Sequence, residues 1–146
     1  MIYLDSSCLL KLLLEEPESE AVRHAVASEA DVVVSSLTEL EATVQLHAGW
    51  RGGEYRERRY RVYVAQLDSF RVMDPFRFRT LPGTIFQTAL RQHRAAHDVH
   101  CRSLDRLHLA AMEELGLRRL MSNDATQASG ARALGFEVLT PGHSGF

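Results

Sequence analysis

The sequence predicts an α/β fold, a three-layer α/β/α domain with a central parallel sheet of four or five strands. Short apolar runs alternate along the 146 residues with longer stretches in which apolar side chains recur at helical spacing. Strands that alternate with helices indicate a parallel sheet covered by helices on both faces. Apolar residues make up 45% and charged residues 25% of the chain, as in an ordinary globular protein. There is no internal repeat or linker, so we expect residues 1–146 to form a single domain.

The strands are predicted from short apolar or β-branched runs with abrupt ends. The clearest is the run of three valines at residues 32–34, and the first run ends at Asp5. A weak run at residues 70–73 is closed by an Asp-Pro pair. The predicted strands cover residues 2–4, 31–35, 70–73, 120–122 and 136–139.

The helices are predicted from apolar spacing, capping residues and the glycines or prolines that interrupt them. We expect Gly49 to break the third helix and Gly116 to end the sixth. The apolar residues in phase on the sixth helix are Leu104, Leu107, Ala111 and Leu115. The predicted helices run from Asp5 towards Pro17, over 18–27, from Ser35 or Ser36 to about 48, over about 54–67, over 84–96, from Ser103 to Gly116 and from about 125 to Leu134.

Composition and charge exclude several classes of protein. The net charge of −2 does not indicate a nucleic-acid binder, and two cysteines, Cys8 and Cys101, form neither a disulfide scaffold nor a four-thiolate zinc site. No stretch approaches the roughly 18 uninterrupted apolar residues of a membrane-spanning helix. The first residues lack the basic segment of a secretory signal. We therefore expect a cytoplasmic protein without a membrane partner.

Four acidic residues lie at matching ends of the predicted elements. Asp5 and Asp124 follow short apolar strands, Asp105 lies in the first turn of a helix, and Glu41 lies early in the helix after the valine strand. The functional crevice of an open parallel sheet lies outside the carboxyl ends of its strands. We therefore expect the four acids to meet on one rim, although each of them alone is also explained as a helix cap or loop acid.

Glu39 competes with Glu41 for the fourth position. At about 100° per residue, one face of the third helix carries the apolar residues Leu37, Leu40, Val44 and Ala48. Glu41 flanks this face, whereas Glu39 points almost to the opposite side. We therefore predict Glu41 as the site residue and Glu39 as a solvated surface acid.

Such a cluster of carboxylates requires compensation of its charge. Two unit charges about 4 Å apart repel by on the order of 4 kcal/mol at an effective dielectric near 20, and helix N-termini supply only part of the compensation. An all-oxygen ligand set without His or Cys favours hard ions, Mg²⁺ or Mn²⁺. Such ions activate water and stabilise in-line displacement at a phosphodiester, so the acids predict that chemistry.

Four segments of the chain together resemble a known family. They are MIYLDSS at 1–7, SSLTELE at 35–41, SLDRLHLA at 103–110 and MSND at 121–124. In order and spacing they are similar to the PIN-domain nucleases, and most of all to the VapC-type toxins of bacterial toxin–antitoxin modules. The SLDRLHLA segment is the most specific of the four.

The resemblance implies a PIN-like fold and a role for several residues. By this likeness Asp5, Glu41, Asp105 and Asp124 are the metal-binding and catalytic acids. Ser7 and Thr126 are supporting residues, Thr126 lying where some members carry a further acid. The family implies a Mg²⁺- or Mn²⁺-dependent ribonuclease, the toxin of a type II toxin–antitoxin module. It also implies a VapB-like antitoxin as partner and a homodimer. A PIN scaffold without catalysis, acting as an RNA- or protein-binding module, is the alternative.

An arginine-rich stretch follows the third predicted helix. Arg56, Arg58 and Arg59 lie there among aromatic residues that include Trp50 and Tyr60. Arginine with aromatic side chains suits single-stranded RNA through phosphate pairing and base stacking, and the same residue types are enriched at protein interfaces. A solvated helix face, an RNA contact and an antitoxin or dimer contact all remain open.

Other constellations support their functions less well. His93 and His97 are spaced like zinc ligands, with His100 and Cys101 nearby, but surface histidines are the simpler interpretation. His108 is interpreted as a packed or hydrogen-bonded residue at the core edge. A phosphatase of the haloacid-dehalogenase type needs a second Asp where Ser7 stands. A receiver-like module also needs an acid pair after the first strand.

Overall fold

The computed structural model describes residues 1–96 and 98–144, which form five β-strands and seven α-helices. The strands are β1 Ile2–Leu4, β2 Val32–Ser35, β3 Phe76–Arg79, β4 Arg119–Met121 and β5 Glu137–Leu139. The helices are α1 Ser6–Leu13, α2 Ser19–Ala27, α3 Ser36–Arg51, α4 Glu57–Ser69, α5 Ile85–Ala95, α6 Ser103–Glu114 and α7 Ala125–Ala133. His97, one of the two histidines at zinc-like spacing, lies outside the described residues.

All strand pairings of the sheet are parallel, and the strand order is β3-β2-β1-β4-β5. Strand β1 lies at the centre, with Tyr3 opposite Val33 on one side and opposite Leu120 on the other. Because every strand runs in the same direction, the carboxyl ends of all of them meet at one edge. The predicted parallel sheet is confirmed.

Helices cover both faces of the sheet. Along β1, Ile2 and Leu4 point into a core shared with α1, α2, α3 and α4, whereas Tyr3 points into a second core with α6 and α7. Successive side chains of a strand point to opposite faces, so one buried strand supplies both cores. Helix α5 packs outside α6 through Ile85 and Ala89. The three-layer α/β/α architecture is confirmed.

The strand predicted at residues 70–73 is wrong. Residues Phe70–Val72 form a short 3-10 helix, and Val72 is 91% exposed. Strand β3 begins only at Phe76, whose ring stacks on Phe70 with centroids 4.4 Å apart. The alternation Phe-Arg-Phe-Arg of β3 is the pattern of a half-buried edge strand, and this pattern was the better signal.

The apolar face predicted for α3 is also wrong. Its buried residues are Thr38, Ala42, Leu46 and Gly49. Leu40 and Val44, which were expected to face the core, are 60% and 58% exposed. Three of these four residues, Thr38, Ala42 and Gly49, are small or polar, so a hydropathy pattern does not distinguish this face from a polar one.

Gly49 lies inside α3 rather than breaking it. The Tyr55 hydroxyl, on the connection to α4, donates to the Leu46 carbonyl oxygen over 2.6 Å. A Cβ atom added to Gly49 would lie 2.6 Å from Cζ of Tyr55. The glycine therefore permits close packing of the tyrosine ring, and the helix continues to Arg51.

The face predicted for α6 is rotated in the same way. Leu104 is exposed, while Asp105, His108, Leu109 and Met112 are buried. Polar residues occupy the inner face at the start of this helix because it faces the polar edge of the sheet. Within the described residues, no helix is both long and apolar enough to cross a membrane.

Candidate active site

A cavity of about 550 Å³ opens at the carboxyl-terminal edge of the sheet, beyond the ends of β1 and β4. Five acidic side chains line it: Glu16, which pairs with Lys11, and the four predicted acids Asp5, Glu41, Asp105 and Asp124. Asp5 follows β1, and Glu41 lies in the second turn of α3. Asp105 lies in the first turn of α6, and Asp124 caps α7. The structure therefore brings all four predicted acids together.

Asp5 is the most firmly held of the four. Its Oδ1 accepts hydrogen bonds from the Cys8 amide over 3.2 Å and from the Ser7 hydroxyl over 2.6 Å, and its Oδ2 accepts from the Ser122 hydroxyl. The residue is only 4% exposed. Burial raises the pKa of the Asp5 carboxyl, and the two hydroxyl donors offset part of that effect. A nearby cation would compensate the remaining cost of the buried charge.

Asp105 and Asp124 share a basic partner, Arg102. Arg102 donates from Nε to Oδ2 of Asp105 over 3.0 Å, and its Nη2 lies 3.6 Å from Oδ2 of Asp124. The hydrogen bond to Asp105 is the largest contribution to the raised pKa of Arg102. Asp124 also caps α7, because its Oδ1 accepts a hydrogen bond from the backbone N–H of Gln127 over 3.0 Å. A guanidinium thus lies between two of the four acids.

Glu41 is held from behind by a buried imidazole. Its Oε1 lies in hydrogen-bond contact with Nε2 of His108, and the Ser6 hydroxyl donates to the same oxygen over 3.4 Å. On the other side of the ring, Nδ1 of His108 lies 2.6 Å from the Tyr3 hydroxyl. Burial is the main cause that raises the pKa of the Tyr3 phenol, which therefore keeps its proton.

Glu39 lies elsewhere, as predicted, although the physical reason differs. Its carboxylate pairs with Arg71, and it lines another depression beside β3. The inner face of α3 carries Thr38 and Ala42, and this register turns Glu41 towards the cavity and Glu39 towards Arg71. Glu41 therefore lines the cavity and Glu39 does not, whereas the apolar face from which Glu41 was predicted is wrong.

The other predicted residues lie in different places. Ser7 lines the cavity, where its hydroxyl oxygen also accepts a hydrogen bond from the backbone N–H of Asn123 over 2.9 Å. Thr126 is exposed on α7, and among the described residues of that helix it is Gln127 that lines the cavity. Thr126 therefore has no place at the cavity in the described structure. Arg56, Arg58 and Arg59 are exposed around a separate surface depression of about 570 Å³.

Residues 2–133 match the family model described as the PIN domain. This chain belongs to the PIN-domain family. Ribonuclease VapC46 of Mycobacterium tuberculosis is 34% identical to it over 142 residues, which cover 96% of this chain and 97% of VapC46. The resemblance inferred from the four segments is confirmed.

Solved structures share the fold of this PIN domain. The crystal structure of FitAcB from Neisseria gonorrhoeae has a TM-score of 0.77 at 19% identity and covers 99% of this chain and 100% of that chain. A toxin–antitoxin complex from Klebsiella pneumoniae has a TM-score of 0.63 at 17% identity, with coverage of 99% and 100%. At these identities the likeness concerns the fold.

Two polar partners of the acids, Arg102 and Ser122, have little signal in the sequence. Arg102 contacts two of the acids, and the only sequence signal for it is the spacing of three residues to Asp105. Ser122 immediately precedes Asn123 and Asp124 but donates to Asp5, 117 positions away along the chain. His108 was assigned to the core edge, and its contact with Glu41 places it directly behind the cavity. These contacts depend on the tertiary fold.

The donor chemistry of the cavity fits a hard divalent cation. All four acids offer carboxylate oxygens, the ligands that Mg²⁺ and Mn²⁺ prefer. Among the described residues, no three His, Cys, Asp or Glu side chains are close enough together to hold an ion as they stand. Arg102 supplies a physical reason, since it is itself the cation between Asp105 and Asp124. Its side chain is 68% exposed, so its withdrawal costs little free energy.

Proposed function

We propose that this PIN domain is a divalent-metal-dependent endoribonuclease that uses Mg²⁺ or Mn²⁺ and is the toxin of a type II toxin–antitoxin module. The observation that carries the proposal is the meeting of Asp5, Glu41, Asp105 and Asp124 in one cavity at the carboxyl edge of the sheet. The likeness to ribonuclease VapC46 over nearly the whole chain supports the same activity. We propose a cytoplasmic location on the same likeness.

In the proposed reaction the four carboxylates hold the metal and position the attacking water. The ion, when bound, lowers the pKa of a water and balances charge on the phosphate. One carboxylate would accept a proton from the attacking water as its oxygen bonds to phosphorus and the bond to the ribose oxygen breaks. The departing ribose oxygen would take up a proton from solvent. The three donors around Asp5 prevent its carboxylate from turning away. Arg102 on the rim offers a guanidinium that pairs with phosphate as readily as with carboxylate.

The exposed arginines of α4 supply a second, RNA-binding surface in this proposal. Arg56, Arg58 and Arg59 lie where α4 begins beside the end of α3, roughly 15 Å along that helix from Glu41. Trp50 and Tyr60 stack there with centroids 4.9 Å apart, and the Arg51 guanidinium lies over the Trp50 ring. Aromatic faces and guanidiniums together favour single-stranded RNA.

Its partners in the proposal are a VapB-like antitoxin and a second copy of the chain. The structural relative from Klebsiella pneumoniae is part of a toxin–antitoxin complex. Exposed apolar side chains of the kind that interfaces bury lie on two helices, Leu40 and Val44 on α3 and Phe86 and Leu90 on α5. Light scattering of the purified chain, alone and with the antitoxin, measures both assemblies.

The activity is tested by incubating the purified chain with a mixed cellular RNA substrate in Mn²⁺ and in chelator. We expect cleavage in Mn²⁺ only, and none by Asp5→Asn, which is the matched inactive variant. Undiminished cleavage in chelator would contradict the metal dependence. RNA binding without cleavage in Mn²⁺ would favour the non-catalytic binding module instead.

A further inference from the structure

A continuous line of buried polar groups connects the end of strand β2 to the cavity. The Ser35 hydroxyl lies 2.7 Å from the Tyr3 hydroxyl, which lies 2.6 Å from Nδ1 of His108. Nε2 of the same ring contacts Oε1 of Glu41. Ser35 and Tyr3 are fully buried and His108 is 3% exposed. Bulk water therefore does not supply hydrogen-bond partners to these groups.

A carboxylate at Glu41 sets the direction of its own hydrogen bond with His108. An ionised carboxylate only accepts, so Nε2 of His108 carries a proton and donates to Oε1. In the neutral ring Nδ1 is then an acceptor, and the group within reach that donates to it is the Tyr3 hydroxyl. The opposite tautomer would set a nitrogen lone pair against a carboxylate in a buried position.

The remaining hydroxyls agree with this direction. The Tyr3 oxygen accepts from Ser35, whose own oxygen accepts from the Thr38 amide over 3.1 Å. The Thr38 hydroxyl donates to the Leu4 carbonyl oxygen over 3.0 Å. The Thr38 hydroxyl also lies 3.2 Å from the Ser35 oxygen and 3.4 Å from the Tyr3 oxygen. The hydroxyls therefore form a small buried network that is connected through His108 to the Glu41 carboxylate.

We propose that Tyr3 and His108 are positioning residues, which lock the imidazole as the Nε2-protonated tautomer and thereby hold Glu41 with one carboxylate oxygen turned to the cavity. Oε1 is taken up by His108 and Ser6, so Oε2 is the oxygen left to ligate. This inference rests on the proposed function, because it assigns the ligand atom of the same metal site. Hydrogen-bonded partners behind a ligand orient it and tune its affinity for metal.

The first test removes one oxygen atom. Tyr3→Phe keeps the ring in the core but deprives Nδ1 of its donor, and Tyr63→Phe is the matched control on α4. Long-range ¹⁵N–¹H NMR without metal reads the ring directly. We expect the Nε2-protonated tautomer of His108 in all three proteins, because Glu41 still accepts from Nε2. Only in Tyr3→Phe, where Nδ1 has lost its donor, do we expect the Nδ1 resonance to move. An Nδ1-protonated or doubly protonated ring in wild type overturns the inference.

The second test measures Mn²⁺ affinity by calorimetry. Loss of a positioning partner typically weakens metal binding by about 10- to 100-fold, and we expect this for Tyr3→Phe and His108→Leu. His108→Gln retains an amide donor towards Glu41 and should recover most of the affinity, which a purely structural role does not predict. The two His108 variants decide the question if Tyr3→Phe fails to fold.

Failure of the inference and failure of the proposed function give different results. Equal Mn²⁺ affinity of wild type, Tyr3→Phe and His108→Leu overturns the positioning role and leaves the metal site intact. Wild type that neither binds Mn²⁺ nor cleaves RNA overturns the proposed function and with it the ligand assignment. The tautomer is read without metal, so it still decides whether the hydrogen bonds run as described.

Discussion

Arg102 donates a hydrogen bond from Nε to Oδ2 of Asp105, three residues further along the chain, over 3.0 Å. This contact sets a positive side chain among the acids that are proposed to bind metal. The guanidinium and a divalent cation therefore compete for the same carboxylates.

Arg102→Gln is expected to tighten Mn²⁺ binding. The arginine is largely exposed, so its ion pair with Asp105 is weak, and its removal should raise the Mn²⁺ affinity by at most a few-fold. Calorimetric titration measures the change. Arg91→Gln is the control, because Arg91 pairs with Glu113 beside another depression. Weaker binding by Arg102→Gln would mean that the arginine holds the acids in place for the ion.

Asp5→Asn is expected to abolish RNA cleavage and to stabilise the fold at pH 7. Burial raises the folded-state pKa of Asp5 above its unfolded value of about 3.9. The free energy of unfolding therefore begins to fall when the pH rises above the unfolded-state pKa of Asp5. The decrease is complete once the pH exceeds the folded-state pKa. Asparagine is neutral and still caps α1. We expect a gain of about 1 kcal/mol, or roughly 3–5 °C in Tm.

The stability gain of Asp5→Asn should disappear below about pH 4, where the aspartate is protonated in both states. Thermal melts at pH 7 and pH 3.5 measure the difference. Asp68→Asn, at an exposed position, should change Tm little at either pH. A lower Tm for Asp5→Asn at pH 7 would contradict the assigned direction.

Glu29→Gln is expected to have the opposite pH dependence. Both Glu29 oxygens accept from the Arg119 guanidinium over 2.8 Å, and this hydrogen bonding lowers the pKa of the glutamate. Because the folded-state pKa is lowered, the ion pair stabilises the fold fully above the unfolded-state pKa of about 4.3. This stabilisation is lost as the pH falls through the folded-state pKa. We expect a loss of about 1 kcal/mol at pH 7, measured by urea unfolding.

At pH 3 wild type and Glu29→Gln should have nearly equal unfolding free energies. Glu57→Gln serves as control, because the pair of Glu57 with Arg61 is exposed at both ends and contributes little. An unchanged difference between wild type and Glu29→Gln from pH 7 to pH 3 would rule out the ion pair as its source.

Gly49→Ala is expected to destabilise the protein although alanine is the better helix former. The new Cβ would overlap the Tyr55 ring, and such overpacking costs about 1–3 kcal/mol. Chemical denaturation of a double-mutant cycle with Tyr55→Ala measures the coupling. In the Tyr55→Ala background the alanine should be neutral or stabilising, and an equal cost in both backgrounds would show that the ring is not responsible.

The sequence predicted the strands and the acids that follow them, because these features depend on neighbouring residues in the chain. A buried run that stops at a polar residue located β1 and β2, and parallel strands place the acids that follow them at one edge. Face assignment failed on α3, where Leu40 and Val44 are exposed and Thr38 and Ala42 are buried. Hydropathy ranks side chains by affinity for water, whereas close packing against a sheet selects small ones.

The partners of the acids were beyond prediction for a different reason. In the sequence Tyr3 is indistinguishable from its neighbours in a buried strand, yet its hydroxyl contacts the imidazole of His108, 105 positions away. Arg102 reads as a loop residue before a helix, yet it contacts Asp124. Such contacts exist only once β1 and β4 are paired, and no periodicity in the chain encodes them.

The placement of β1 between β2 and β4 determines the order in which the cavity can form during synthesis. Asp5 is made long before Asp124 and the strand that presents it. A growing polypeptide therefore lacks one wall of the cavity until β4 has been made and has paired with β1. Assembly of the proposed metal site must wait for that late pairing.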